Sequence, residues 1–239
     1  MKHTFRSHFL IMMGMLSLLA TGSTLAAVRP EATRAIIYIS DKEGSVQMKN
    51  DSKDTTYLVQ SWLEDLKGSD KNIPIVLTPP LFKIDPNKEA RLRLLVMPGS
   101  LPTDRETVYW LVMQEIPPAP KVKSNQLVLA VRSRIKVFVR PAGLEGDPKE
   151  SVTKLHWRTE SDGGKRWLVA QNPTPYYVSF STLTLNGQSV IDKHPMVPAK
   201  GEMRYEIPAK AATGSAQLSY SAINDFGGET AIQHASLSN

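Results

Sequence analysis

The sequence predicts an all-β protein built as two β-sandwich domains, and three observations carry that expectation. Short runs with alternating polarity or with β-branched and aromatic enrichment recur along the chain, and no long apolar stripe at the helical period of 3.6 residues accompanies them. Proline and glycine punctuate the runs, at Thr78-Pro79-Pro80, Met97-Pro98-Gly99, Ile116-Pro117-Pro118 and Asp162-Gly163-Gly164. A break rich in proline and glycine, "PAGLEGDP", follows the longest run and divides the chain.

Residues 1–26 read as a secretory signal. Lys2 and Arg6 precede an apolar run from Phe9 to Ala20, and Thr24-Leu25-Ala26 offers a small-x-small cleavage site after Ala26. The apolar run is about twelve residues where a span needs roughly twenty, and no later stretch approaches that length, so membrane insertion is not expected. Removal leaves about 213 residues, enough for one large or two ordinary domains. The formal charge of +6 drops by two, because Lys2 and Arg6 leave without an acid. The chain has no cysteine, which excludes thiol catalysis and cysteine metal sites; at this size a core can hold without disulfides.

Strands are expected at Arg34–Ile39, Thr56–Leu63, Ile73–Leu77, Arg91–Met97 and Val108–Ile116 in a first domain, residues 27–141. A linker is expected at 142–148. Further strands are expected at Arg166–Ala170, Tyr177–Leu185 and Gln217–Ile223 in a second domain, 149–239. Gly163-Gly164 and Gly227-Gly228 read as hairpin turns.

The run "NQLVLAVRSRIKVFVRP" is the unusual one. Its odd positions Leu127, Leu129, Val131, Ile135, Val137 and Val139 are all apolar, while Arg132, Arg134, Lys136 and Arg140 fill the later even positions. As one strand from Gln126 to Arg140 it would reach roughly 50 Å, where strands of about 5–6 residues are common.

Catalytic patterns are mostly missing. His156, His194 and His234 lack metal-site spacing, and no GxSxG or Walker loop occurs. Ser151-Val152-Thr153-Lys154 fits an SxxK pattern but has no SDN or KTG companion. No enzyme, metal or cofactor is expected. The row of cations reads as a solvated strand face in an exported protein, not as a nucleic-acid surface.

Six strings occur in one order: "TRAIIY", "TPPLFKIDPNKEARLRLL", "LPTDRETVYWLVMQEIPP", "RIKVFVRP", "NPTPYYVSF" and "AINDFGGE". Together, over nearly all of the mature chain, they closely resemble the periplasmic pilus-assembly chaperones. The resemblance implies two immunoglobulin-like sandwiches in an L-shaped arrangement with a cleft between them. It implies a partner set of pilus subunits and an outer-membrane usher; an exposed apolar edge is also an aggregation hazard, so a free chaperone must cap it or self-associate. It also gives the long strand a use: Leu127, Leu129 and Val131 stand where the family donates apolar side chains to the open groove of a subunit. A strand edge offers main-chain hydrogen bonds, and alternate side chains can fill pockets. The other reading is that all three face their own core.

The resemblance further implies that Arg34 and Lys136 hold the C-terminal carboxylate of the bound subunit, which would fix the register of the added strand. Glu106, Arg140 and Asp225 match an interdomain ion network that would set the angle between the domains. The short segment "PAPKVKSN", residues 118–125, resembles the short-loop branch of the family. Two departures stand out: Phe226 where tyrosine is commoner, and a second domain without the cysteine pair that some members carry. The alternative from another class is a secreted β-sandwich carbohydrate-binding module or enzyme.

Overall fold

The computed structural model describes residues 27–97, 99, 101–119, 129–191, 196–211, 217–235 and 237. The expected signal at 1–26 and the expected strand residues 126–128, Leu127 among them, lie outside the described residues.

Among the described residues the first domain holds nine strands: β1 (Val28–Pro30), β2 (Arg34–Tyr38), β3 (Glu43–Asn50), β4 (Tyr57–Glu64), β5 (Ile75–Thr78), β6 (Leu81–Ile84), β7 (Glu89–Val96), β8 (Thr107–Ile116) and β9 (Arg132–Arg140). They form two facing sheets, ordered β1-β3-β7-β5 and β2-β9-β8-β4-β6. Alternation puts every second side chain inward, so Val46, Met48, Leu92, Leu94 and Val96 of one sheet pack on Ile37, Val59, Leu111, Met113, Ile135, Val137 and Val139 of the other. Nearly all these ladders are antiparallel. The exception is β2 on β9, a parallel pair in which Arg34 stands opposite Lys136.

The second domain repeats the plan with β10 (His156–Asp162), β11 (Lys165–Asn172), β12 (Val178–Leu185), β13 (Gln188–Ser189), β14 (Met196–Val197), β15 (Gly201–Glu206), β16 (Leu218–Ala222) and β17 (Gln233–Ala235). One sheet runs β10-β11-β15; the other runs β13-β12-β16-β17, with β14 on β12. The core centres on aromatics: Trp157 lies 4.9 Å from Tyr220 between ring centroids, and Phe180 meets Trp157, Tyr205 and Tyr220. Gly163 and Gly164, both at positive φ, make the two-residue turn between β10 and β11 that their sequence predicts.

Residues 141–147 join the domains without a strand. A short 3-10 helix follows at Pro148–Lys154, capped by Asp147, whose carboxylate accepts the Lys149 N–H at 2.8 Å. Ser151 of the SxxK string sits inside that helix, buried, with its hydroxyl on the Asp147 carbonyl at 3.5 Å, while Lys154 pairs with Glu150. A third, small apolar cluster of Val108, Phe138 and Met196, backed by Ile36 and Tyr177, joins the two domains.

The long run differs from expectation. Among the described residues β9 begins at Arg132, and Leu129–Val131 precede it without strand pairing. The cause lies in β8. Antiparallel register places Gln114 opposite Arg132, and the Glu115 N–H still reaches the Val131 carbonyl at 3.0 Å. Beyond Ile116 come Pro117 and Pro118, which have no N–H to donate, so the ladder ends there.

Candidate functional site

Of the expected subunit-facing residues, Leu129 and Val131 lie just before β9 in the first domain, and Leu127 lies outside the described residues. Ile135, Val137 and Val139 face the domain's own core. Leu129 and Val131 share their parity, yet Leu129 is 67% exposed and Val131 37%. An inward-facing series thus runs past the end of the core, and neither residue is among the first domain's core cluster. Val131 is held at its root by Glu115, a buried carboxylate that accepts the Val131 N–H at 3.4 Å and the Val28 N–H at 2.9 Å. Sequence reasoning missed Glu115, although an acid inside the apolar run of β8 is a visible anomaly.

The opposite face of β9 carries the cations. Arg132 lies over the Trp62 ring at 5.2 Å and Arg134 over Trp110 at 4.7 Å, with Lys136 5.9 Å from the same ring. Glu64 receives Arg134 at 2.8 Å and the Trp62 indole N–H at 2.8 Å. The two tryptophans, on β4 and β8, were not singled out in the sequence.

Arg34 and Lys136 come together through the parallel register of β2 and β9. Both reach across to the second domain. An Arg34 guanidinium N–H donates to the Ile223 carbonyl at 2.9 Å, and the Lys136 ammonium donates to the Ser179 hydroxyl at 3.0 Å. Burial lowers the Lys136 pKa to about 8, and the Arg34 charge adds to the fall. Burial also lowers the Arg34 pKa, partly opposed by the Asp225 charge. Neither cation has a carboxylate in ion-pair contact among the described residues, so the cleft holds positive charge in want of an anion.

Glu106, Arg140 and Asp225 converge at the seam between the domains. Arg140 donates to Glu106 at 2.6 Å and to both Asp225 oxygens at 2.8 and 3.1 Å. The Arg140 and Glu106 side chains are only 5% and 1% exposed, and that of Asp225 is 33% exposed. The other Glu106 oxygen accepts the Tyr177 N–H at 2.8 Å, and the Glu106 N–H reaches the Pro175 carbonyl. Burial pushes the Glu106 carboxyl up, opposed by the Arg140 charge. Burial likewise works against the Arg140 charge, but its two carboxylates more than reverse this and raise its pKa. Tyr176 adds a further tie, its hydroxyl donating to the Gly146 carbonyl at 3.1 Å. Asp104 and Lys200 meet across the same seam at 3.2 Å, in the open. Gly227 packs where a side chain would strike Thr33, since its Cβ would clash with the threonine hydroxyl; its φ of +85° also favours glycine. The turn that carries Asp225 is thereby set directly on the strand that carries Arg34.

Two sandwiches joined by a charged seam, with an open apolar edge on one and paired cations in the cleft, define a two-domain binding scaffold. Residues 27–145 match the family model of the pili and flagellar-assembly chaperone, PapD N-terminal domain, and residues 150–234 match that of the pili assembly chaperone PapD, C-terminal domain. The chain belongs to the pilus-assembly chaperone family, whose members are not enzymes. The chaperone protein LpfB of Salmonella typhimurium is 38% identical over 214 residues, 89% of this chain and 90% of that one. The crystal structure of the Escherichia coli chaperone DraB superposes with a TM-score of 0.73 at 33% identity, covering 88% of this chain and 96% of the other. The SafB chaperone of Salmonella enterica, solved in complex with the SafA pilin, superposes with a TM-score of 0.76 at 26% identity, covering 90% and 98%. None of these likenesses supports a carbohydrate-binding module or an enzyme.

Proposed function

We propose that this chain is a periplasmic chaperone that completes a fimbrial subunit by lending it an extended apolar segment, clamps the subunit's C-terminal carboxylate, and yields the complex to an outer-membrane usher. The observation that carries this reading is the pairing of Arg34 on β2 with Lys136 on β9, two cations without an ion-paired carboxylate among the described residues, β9 being the strand that continues from the exposed Leu129 and Val131. SafB in complex with a pilin supports the class of partner. Leu127, Leu129 and Val131 supply the apolar contacts, each worth about 1.5–3 kcal/mol when fully buried. Arg34 and Lys136 fix the register by holding the chain end. Glu106, Arg140 and Asp225 hold the angle of the cleft. The domains divide at 27–141 and 149–239, with the linker at 142–148. In the free protein the uncovered apolar edge favours self-association.

The test is binding of a synthetic peptide that copies a subunit's C-terminal segment, with either a free acid or an amide end. Wild type should prefer the acid, and both Arg34→Ala and Lys136→Ala should lose that preference while keeping the fold. Equal binding of acid and amide by wild type would overturn the carboxylate clamp.

A further inference from the structure

The two cations of the cleft are only part of what converges there. Arg34 is 9% exposed, and its Nε finds no hydrogen-bond partner among the described residues although its NH1 is engaged by the Ile223 carbonyl. A buried guanidinium N–H without an acceptor is uncommon and points to a missing group at that spot. Beside it, Ser179 is 2% exposed and lines the same cleft as Arg34, Phe138 and Ile223. Its oxygen accepts from the Lys136 ammonium at 3.0 Å, which leaves its own O–H free to donate, and no acceptor for it occurs among the described residues.

The backbone fixes Ser179 in place. Its carbonyl accepts the Ile223 N–H at 2.8 Å, and Ile223 in turn offers its carbonyl to Arg34. Ser179 also pairs with Met196 in the β12–β14 ladder. Arg34, Ile223, Ser179 and Lys136 therefore form one connected chain of hydrogen bonds, half of it from each domain. Three donors without a full set of acceptors meet in it: the Arg34 Nε–H, the remaining protons of the Lys136 ammonium, and the Ser179 hydroxyl.

We infer that Ser179 is a third ligand for the chain-terminal carboxylate, donating its hydroxyl to one carboxylate oxygen while its own oxygen holds Lys136 in position. The inference rests on the carboxylate reading of Arg34 and Lys136. It makes the anchor a site of both domains, complete only while the second domain is docked on the first. A hydrogen bond to a charged group in a partly dry cleft is one of the stronger kinds, so loss of the hydroxyl should weaken binding of an acid-ended peptide by about tenfold or more.

The experiment uses the full mature chain and the same pair of peptides, acid-ended and amide-ended, copying a subunit's C-terminal segment. Ser179→Ala should bind the acid about tenfold more weakly and the amide as wild type does. Ser179→Thr and Ser179→Val have nearly the same shape and differ in the hydroxyl, so threonine should keep the acid preference and valine should lose it. That pair decides the matter even if the alanine variant fails to fold. If wild type prefers the acid and the valine variant prefers it equally, Ser179 is no ligand and the two-cation clamp stands. If wild type shows no preference, the clamp itself falls and Ser179 with it.

Discussion

Lys136 is where the cleft's chemistry can be read as a function of pH. Its folded pKa of about 8 lies below the ordinary lysine value of 10.5, through burial first and the Arg34 charge second. Between those two values the unfolded chain binds more protons than the folded one, so raising the pH through this window stabilises the free protein. Binding a carboxylate favours the charged ammonium, so above pH 8 the complex must take up a proton to form. Affinity for the acid-ended peptide should therefore be level below about pH 7 and fall as pH passes 8, with no such fall for the amide. Lys136→Arg should keep the affinity flat across that range, which a titration series by calorimetry would check. A fall of the same size in the arginine variant would assign it to another group. Little of this was legible in the residues alone. Arg34 and Lys136 are about a hundred positions apart, and only the parallel register of β2 and β9 brings them side by side. The family likeness named both, but it named neither Ser179 nor Glu115, whose roles depend on contacts between elements that no spacing rule encodes.

Among the elements, the strands that alternate cleanly were the readable ones. β2, β4, β7, β8, β11, β12 and β16 each fall where apolar and polar residues alternate or β-branched residues cluster. β3, β10 and β15 were not expected, because "EGSVQMKN", "HWRTESD" and "GEMRYE" each bury only one to three side chains and carry charge or glycine elsewhere. Their partners specify them, β7 for β3 and β11 for the other two. The segment before β9 poses the opposite problem, a strand-like sequence without a full strand. Pro117 and Pro118 withhold the donors that would zip it to β8, which leaves Leu129 and Val131 uncovered and available to another chain. Leu129→Glu should leave the first domain folded, since the residue is 67% exposed. It should abolish subunit capture, because a charge forced into an apolar groove costs several kcal/mol. Co-purification of a tagged variant with its subunit measures this, and recovery at the wild-type level would remove Leu129 from the contact.

At the scale of the whole molecule, the described contacts between the domains are a few polar ones and a small apolar cluster. Arg140 is the pivot, since removing it leaves the 1% exposed Glu106 carboxylate close to Asp225 without their shared cation. Arg140→Ala should destabilise the protein by about 3–5 kcal/mol, the usual effect of stranding a buried charge. The melting temperature should drop, and solution scattering should report a wider spread of interdomain angles. Unchanged curves in both would reduce the network to ordinary surface charge. The two-domain plan was legible in the sequence, whereas the seam was named only by the family resemblance, because Glu106, Arg140 and Asp225 come from three separate stretches of chain. The cations stacked on Trp62 and Trp110 have a consequence of another kind, for the rate of encounter. Arg132, Arg134 and Lys136 form a row along one face of β9, and the row ends beside Arg34. If the cleft takes a carboxylate, a negatively charged chain end diffusing near that row would be drawn toward the cleft, with the share of Arg134 reduced by its ion pair to Glu64. Salt would shorten the reach of that field to about 8–10 Å without touching the apolar contacts, so the guidance belongs to how quickly a partner is caught and not to how firmly it is kept.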